Sequence, residues 1–332
     1  MANDTETHDC SLPTHARAFG LALIVMIMVL GVIGNTVVLL VVGLLRRRHE
    51  TVSYIFVSNV AASDLLTSLT VLPFDILYWH NFPVFPLAPN FCRLWNAFFF
   101  TFLAESSLSL CMMTFDVFLA IYRPLHYSMS MNPRRAYMFI LVSWAWSITV
   151  GVLIYIYQEE PPEGEYLFDL ASPAYGSYLI LHIGFPSVVI PLFYIKVFLI
   201  AKSHASRIHS CEKDTKSKGK LSIRRQLALA KTFFLITVGF FVCWYPFFIV
   251  QLFYVFGWDA GVDWCELETA DTVVCWLAYV QCCLNPIFYA FRRKDVRHVL
   301  NHSLRRVDTI KNTITRQEPT CGKPEEDIEL TT

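Results

Sequence analysis

The chain has 332 residues, 55% of them hydrophobic and 16% charged, and its formal net charge is zero. That is more apolar and less charged than a typical soluble domain. Bulk charge therefore points to no partner, and nucleic acid is not expected; the placement of the charges says more.

Seven apolar stretches are each long enough to cross a bilayer, which takes about 20 residues. Ala18–Leu45 carries no charge, Thr51–Trp79 is interrupted only by Asp64 and Asp75, and Leu94–Phe115 only by Glu105. Ala136–Gln158, Ala171–Ile195, Thr232–Trp258 and Thr272–Phe291 hold no Asp, Glu, Lys or Arg. Backbone groups in lipid must bond within their own segment, so these spans are predicted to be helices. They are too long and too uniformly apolar for barrel strands. The expected fold class is an all-α membrane protein, a seven-helix bundle.

Basic residues set the expected orientation. Arg46–Arg48, Arg123, Arg134, Arg135, the Lys202–Lys231 segment and Arg292–Lys294 follow alternate spans, while the other side holds only Arg17 and Arg93. The positive-inside rule then puts the amino terminus outside and the carboxyl terminus in the cytosol, in the plasma membrane. The start of the chain shows no cleavable signal pattern. "NDT" at Asn3 is a glycosylation triplet on the expected outer side. The expected division is an outer segment 1–17, a membrane domain 18–302 and a polar, disordered tail 303–332.

A carboxylate at mid-bilayer is costly, so it is usually paired or functional. Asp64 lies near the middle of the second span, and Asn35, Ser106, Gln281 and Asn285 come from other spans. Two readings stand. The group holds a small cation such as sodium through oxygen ligands, or it is a structural cluster joining helices. Pro186 and Pro191, Pro246 and Pro286 predict kinks in the fifth, sixth and seventh spans.

At this point the chain resembles the rhodopsin-like (class A) G-protein-coupled receptors. The resemblance rests on "GNTVVLL" at Gly34, "NVAASDLL" at Asn59, Cys92, "FDVFLAIYRPLHY" at Phe115 and Trp144. It continues through Pro186 with Tyr194, "CWYP" at Cys243 and "NPIFY" at Asn285. It covers about residues 20 to 300, and "RRKDVRHVL" at Arg292 is similar to the family's short amphipathic eighth helix, with basic residues to meet membrane lipid. The resemblance implies sodium at Asp64, Ser106 and Asn285 as an allosteric ligand, with no other cofactor. It implies that Trp244 responds to ligand, and that Tyr194 and Tyr289 reposition as the sixth helix swings outward to admit a heterotrimeric G protein. Arrestin is a further implied partner.

Three departures stand out. Val117 replaces the arginine of the family's Asp-Arg-Tyr motif, so Asp116 loses its usual partner unless Arg134, Arg135 or solvent replaces it. Gln226 stands where many relatives carry a glutamate. Ser107 replaces a usual isoleucine near Pro186 and Phe240.

Of ten cysteines, Cys10, Cys92 and Cys265 are expected outside. The family pairs Cys92 with a cysteine of the second outer loop, yet no cysteine lies between Cys111 and Cys211. The favoured bond is Cys10–Cys265, with Cys92 as competitor for either.

The positions matching the family's ligand pocket are Phe99, Phe100, Leu103, Tyr178, His182, Phe247, Phe248, Gln251, Trp276 and Tyr279. Aromatic faces suit cations, although each such ring is equally a packing residue. "CWYPFF" and "WLAYV" are similar to aminergic receptors, but the helix-three aspartate of that group is Phe99 here. Asp75 or Asp271 remains as a displaced counter-charge. "YRPLHY" is similar to odorant receptors.

The expected function is an orphan-type receptor that passes an extracellular signal, from a small amine-like or other cationic or aromatic ligand, to a G protein. The alternatives are a non-coupling decoy or partner subunit of another receptor, and an odorant or chemosensory receptor. No enzyme motif for a phosphate loop, zinc protease or nucleophile elbow occurs, and an enzyme is not expected.

Overall fold

The computed structural model describes residues 12–48, 51–82, 86–124, 126–158, 173–210, 218–256, 264–292, 296–299 and 301. The helices are α1 (Thr14–Arg48), α2 (Val52–Asn81), α3 (Pro89–Tyr122), α4 (Tyr127–Ser130) and α5 (Pro133–Tyr157). They continue as α6 (Pro173–Leu179), a π-helical turn (Ile180–Gly184), α7 (Phe185–Ser210), α8 (Lys218–Phe256) and α9 (Trp264–Arg292). No strand occurs among the described residues. Seven helical segments are long and apolar enough to cross a membrane, each covering one of the seven expected spans. Asn3, Cys10, the second outer loop and the tail from 303 lie outside the described residues.

The helices overrun the apolar stretches, because charged ends such as Arg46–Arg48 and Lys218–Lys220 continue the helical backbone beyond the apolar core. Proline sets two of the starts. Pro89 and Pro133 open α3 and α5, where a missing N–H costs nothing, and Asn132 caps α5 by accepting from the Arg135 backbone N–H at 3.0 Å. α2 also contains Pro73, a fourth proline-bearing membrane helix beyond the three expected.

α3 is the central rod. It touches α2, α5, α7 and α8, while α1 lies against α2 and α9. Close approach is possible where side chains are absent. A Cβ on Gly151 of α5 would lie 2.8 Å from the Ala97 carbonyl of α3, so this crossing requires glycine.

Two proline positions are rescued by side chains from other helices. Pro286 has no N–H for the Cys282 carbonyl one turn before it, and Asn35 Nδ2 of α1 donates to that oxygen at 2.9 Å. Pro186 likewise has no N–H for the His182 carbonyl, and Ser107 Oγ of α3 donates there. Ser107, in place of a bulkier apolar residue, thus becomes a bridge from α3 to the π-helical turn. Residues 296–299 are helical, and Val296 and Val299 pack on the core. This is the apolar face expected of the eighth helix.

Candidate functional site

The site has three tiers along the bundle. The middle tier centres on Asp64, which is fully buried. Asn285 Nδ2 donates to its Oδ2 at 2.7 Å, joining α2 to α9. Its other carboxyl oxygen, Oδ1, is buried with no hydrogen-bond partner. Ser106 does not reach Asp64 directly; its hydroxyl meets that of Ser63 at 3.3 Å, one residue away on α2. Asn35 Nδ2 is committed to the Gly31 and Cys282 carbonyls, while its Oδ1 is buried with no hydrogen-bond partner. A buried carboxylate oxygen with no protein donor leaves an acceptor of the kind that a small hard cation takes. Asp64, Ser106 and Asn285 are the residues that would hold it.

The outer tier is an aromatic cage around Phe99. Its ring centroid lies 5.2 Å from Phe100, 5.9 Å from Trp244, 5.9 Å from Phe247 and 6.2 Å from Tyr279. Trp244 also packs on Phe240 at 6.1 Å, carrying the cage toward the middle tier. Leu103 and Phe248 are buried in the same hydrophobic core.

Polar side chains in this tier divide into committed and available groups. Tyr178 Oη donates to the Phe100 carbonyl at 2.8 Å. His182 turns away from the cage. Its Nε2 accepts from the Trp146 indole of α5 at 3.0 Å, and Nδ1 lies 3.0 Å from the Tyr178 carbonyl. This assigns the neutral imidazole with its proton on Nδ1. Trp276 turns toward α1 and α2, edge-on to Trp79 at 5.5 Å, where Gly20 leaves room for it. The carboxylates are different. Tyr279 Oη donates to Asp75 Oδ2 at 2.6 Å, and Gln251 Nε2 donates to Asp271 Oδ1 at 2.5 Å. Both therefore sit on the wall formed by α2, α8 and α9.

The inner tier holds Asp116 and Val117. Arg134 and Arg135 do not replace the missing arginine. Arg135 Nη1 binds the Met129 and Ser130 carbonyls, and Asp116 is served by neutral donors instead. Tyr127 Oη of α4 donates to its Oδ1 at 2.6 Å and Ser53 Oγ of α2 to its Oδ2 at 3.2 Å. Burial, then the charge and hydrogen bond of Asp116, hold the Tyr127 phenol above its ordinary range, so it stays a donor. Val117 is buried in the same core cluster as Tyr194 and Tyr289. Tyr194 Oη meets Thr237 Oγ1 of α8 at 3.5 Å. Gln226 lies on α8, where its side chain is outside the described residues.

Glu105 was not among the expected site residues, yet it organises a polar centre of its own. Its Oε1 accepts from Asn59 Nδ2 at 2.7 Å, Ser143 at 3.1 Å and Ser109 at 3.2 Å, and Oε2 accepts from Ser147 at 3.3 Å. Trp144 Nε1 donates to Asn59 Oδ1 at 2.8 Å. One carboxyl thus joins α2, α3 and α5. The signal was present: a lone acid in an apolar span, with serines one turn apart on the facing span.

Cys265 is disulfide-bonded. Its expected partner, Cys10, lies outside the described residues, and the competitor Cys92 keeps its thiol, buried in the first turn of α3.

The family described as "7 transmembrane receptor (rhodopsin family)" matches residues 34–289. The chain belongs to this family. The rhodopsin-family receptor is 27% identical over 314 residues to the alpha-1A adrenergic receptor of Homo sapiens, an alignment covering 83% of this chain and 65% of that protein. It is 27% identical to the alpha-1A adrenergic receptor of Oryzias latipes, covering 90% and 71%, respectively. It is 26% identical to the histamine H2 receptor of Homo sapiens, covering 89% and 82%. The receptor thus spans just under two thirds of the human adrenergic relative's length.

Proposed function

We propose that the chain is a plasma-membrane receptor, amino terminus outside, that detects a small cationic ligand and signals to a heterotrimeric G protein. The observation that carries this is the Phe99 cage, which contacts Trp244 from above while buried carboxylates stand on its wall. The named relatives are adrenergic and histamine receptors, which supports an amine. Phe99 removes the usual counter-charge on α3, so Asp75 takes that role from α2, oriented by the Tyr279 phenol.

Ligand contact with the Phe99–Trp244–Phe240 stack favours one of two packings of α8 against α3. A ligand shifts that balance only by its differential affinity for the two. Sodium at Asp64 would favour the resting packing. Val117 removes a contact to the G protein, and Tyr127 replaces the lost partner of Asp116. The predicted receptor couples weakly rather than not at all.

The test is second-messenger output in cells expressing the full chain, for each G-protein class, basal and with a biogenic-amine panel, beside Val117→Arg. A change in at least one class supports the reading. Silence in every class for both proteins overturns coupling and leaves the decoy or partner-subunit reading, for which arrestin recruitment or partner-dependent trafficking is the signature.

A further inference from the structure

The outer ends of α8 and α9 carry a small cluster of oxygen acceptors. Gln251 Nε2 of α8 donates to Asp271 Oδ1 of α9 at 2.5 Å. An ionised carboxylate only accepts, so the amide must turn its nitrogen to Asp271 and keep its oxygen free. That oxygen, Oε1, is buried with no hydrogen-bond partner, on a side chain that is 1% exposed. The two amide atoms share one carbon, so Oε1 is held beside the Asp271 carboxyl group. A buried amide oxygen without a donor is costly and points to an occupant.

Glu268 adds a second carboxylate. It precedes Asp271 by three residues on α9, a spacing that puts two side chains on one helix face with Cβ atoms about 5–6 Å apart. Asp271 is half-buried and Glu268 is exposed, so the cluster opens to solvent at this end of the bundle. The only basic side chains expected on this side, Arg17 and Arg93, are engaged at the ends of other helices. Arg17 donates to the Phe82 carbonyl after α2 at 3.3 Å, and Arg93 donates to the Tyr155 carbonyl of α5 at 2.9 Å.

We propose that Asp271, Glu268 and Gln251 Oε1 bind a calcium ion from the outer solution. Carboxylates and an amide carbonyl are the ligands this hard cation takes, in a loose geometry, and the exposed side admits the waters that complete its shell. Three protein groups and an open side set a weak affinity, a dissociation constant of about 10⁻⁴–10⁻³ M. The ion clasps α8 to α9. Gln251 lies one turn outward of Phe247, and Asp271 two turns outward of Tyr279, and both of those rings pack on Phe99. The clasp therefore caps the Phe99 cage. It is separate from the amine site proposed at Asp75 and stands without it.

The experiment uses the purified full chain in nanodiscs of zwitterionic lipid. Terbium, a luminescent stand-in for calcium, is bound and then displaced with calcium chloride at constant ionic strength. Saturable emission that calcium competes away is expected, with a calcium dissociation constant in the range given. Glu268→Gln and Asp271→Asn should each weaken calcium about tenfold, roughly 1.4 kcal/mol, and Gln251→Leu severalfold. Glu268 is exposed, so its variant tests the site without disturbing the fold. Wild-type protein without calcium-competed emission overturns the proposal and leaves the Gln251 oxygen to solvent. Emission that survives both Glu268→Gln and Asp271→Asn undiminished also overturns it, because the ion then sits elsewhere on the receptor.

Discussion

Tyr127 Oη sits 2.6 Å from Asp116 Oδ1, tying the short helix α4 to the inner end of α3. A neutral phenol thus occupies the place left by the arginine that Val117 replaces. It gives Asp116 a hydrogen bond but no charge. With Ser53 on the other oxygen, Asp116 is held by two neutral donors that tie α2, α3 and α4 together.

Tyr127→Phe should loosen this latch. A hydrogen bond to a charged group contributes about 1.5–3 kcal/mol, and Ser53 remains on the other oxygen. Basal G-protein signalling should rise severalfold while surface expression stays near normal. Basal output normalised to surface receptor is the measurement; an unchanged or lower value would show that the Tyr127 bond does not restrain the resting packing.

Glu105 should matter to stability more than any exposed residue of α5. Glu105→Ala leaves Asn59, Ser109, Ser143 and Ser147 without their common acceptor. A loss of about 2–4 kcal/mol is expected. Glu105→Gln keeps an acceptor oxygen and should lose less than half of that. Thermal unfolding of the purified variants in the same detergent decides it: equal losses for Ala and Gln would mean that charge, not hydrogen bonding, is what the site needs.

Sodium should stabilise the wild-type receptor through Asp64. A cation at tenfold its dissociation constant adds about 1.4 kcal/mol to the state that binds it. Raising sodium at constant ionic strength, with a bulky organic cation as replacement, should raise the unfolding midpoint. Asp64→Asn should flatten the response. A variant that keeps the full sodium effect would remove Asp64 from the ion site.

The disulfide of Cys265 is expected to reach Cys10 and anchor the amino-terminal segment over the outer end of α9. Digestion without reduction, followed by mass spectrometry, should recover a peptide pair joined at these two residues. Recovery of Cys265 joined to any other cysteine would refute the pairing.

The fold was legible because lipid leaves few choices. Seven apolar runs became seven membrane helices, and polar residues such as Asp64 and Asn285, far apart in sequence, met because neither has water to turn to. What the sequence concealed was direction. The family resemblance puts His182 at a pocket position, but the Trp146 indole meets its ring on the α5 side. Trp276 was placed in the ligand cage, yet Gly20 opens a slot on the other side of α9. Tyr127 was not expected as the partner of Asp116, because it opens a four-residue helix too short for any apolar period to announce. Glu105 was visible as an interruption, but its four donors come from three different helices. Only packing reveals such groups.

Signalling requires that the inner face of the bundle still engage a G protein without the arginine. The most direct measurement is guanine-nucleotide exchange catalysed by the purified full chain in nanodiscs, wild type beside Val117→Arg. Both proteins should accelerate exchange above the receptor-free rate in at least one G-protein class, the arginine variant by roughly threefold more, under 1 kcal/mol of added coupling. No acceleration by either protein, in any class, would contradict it.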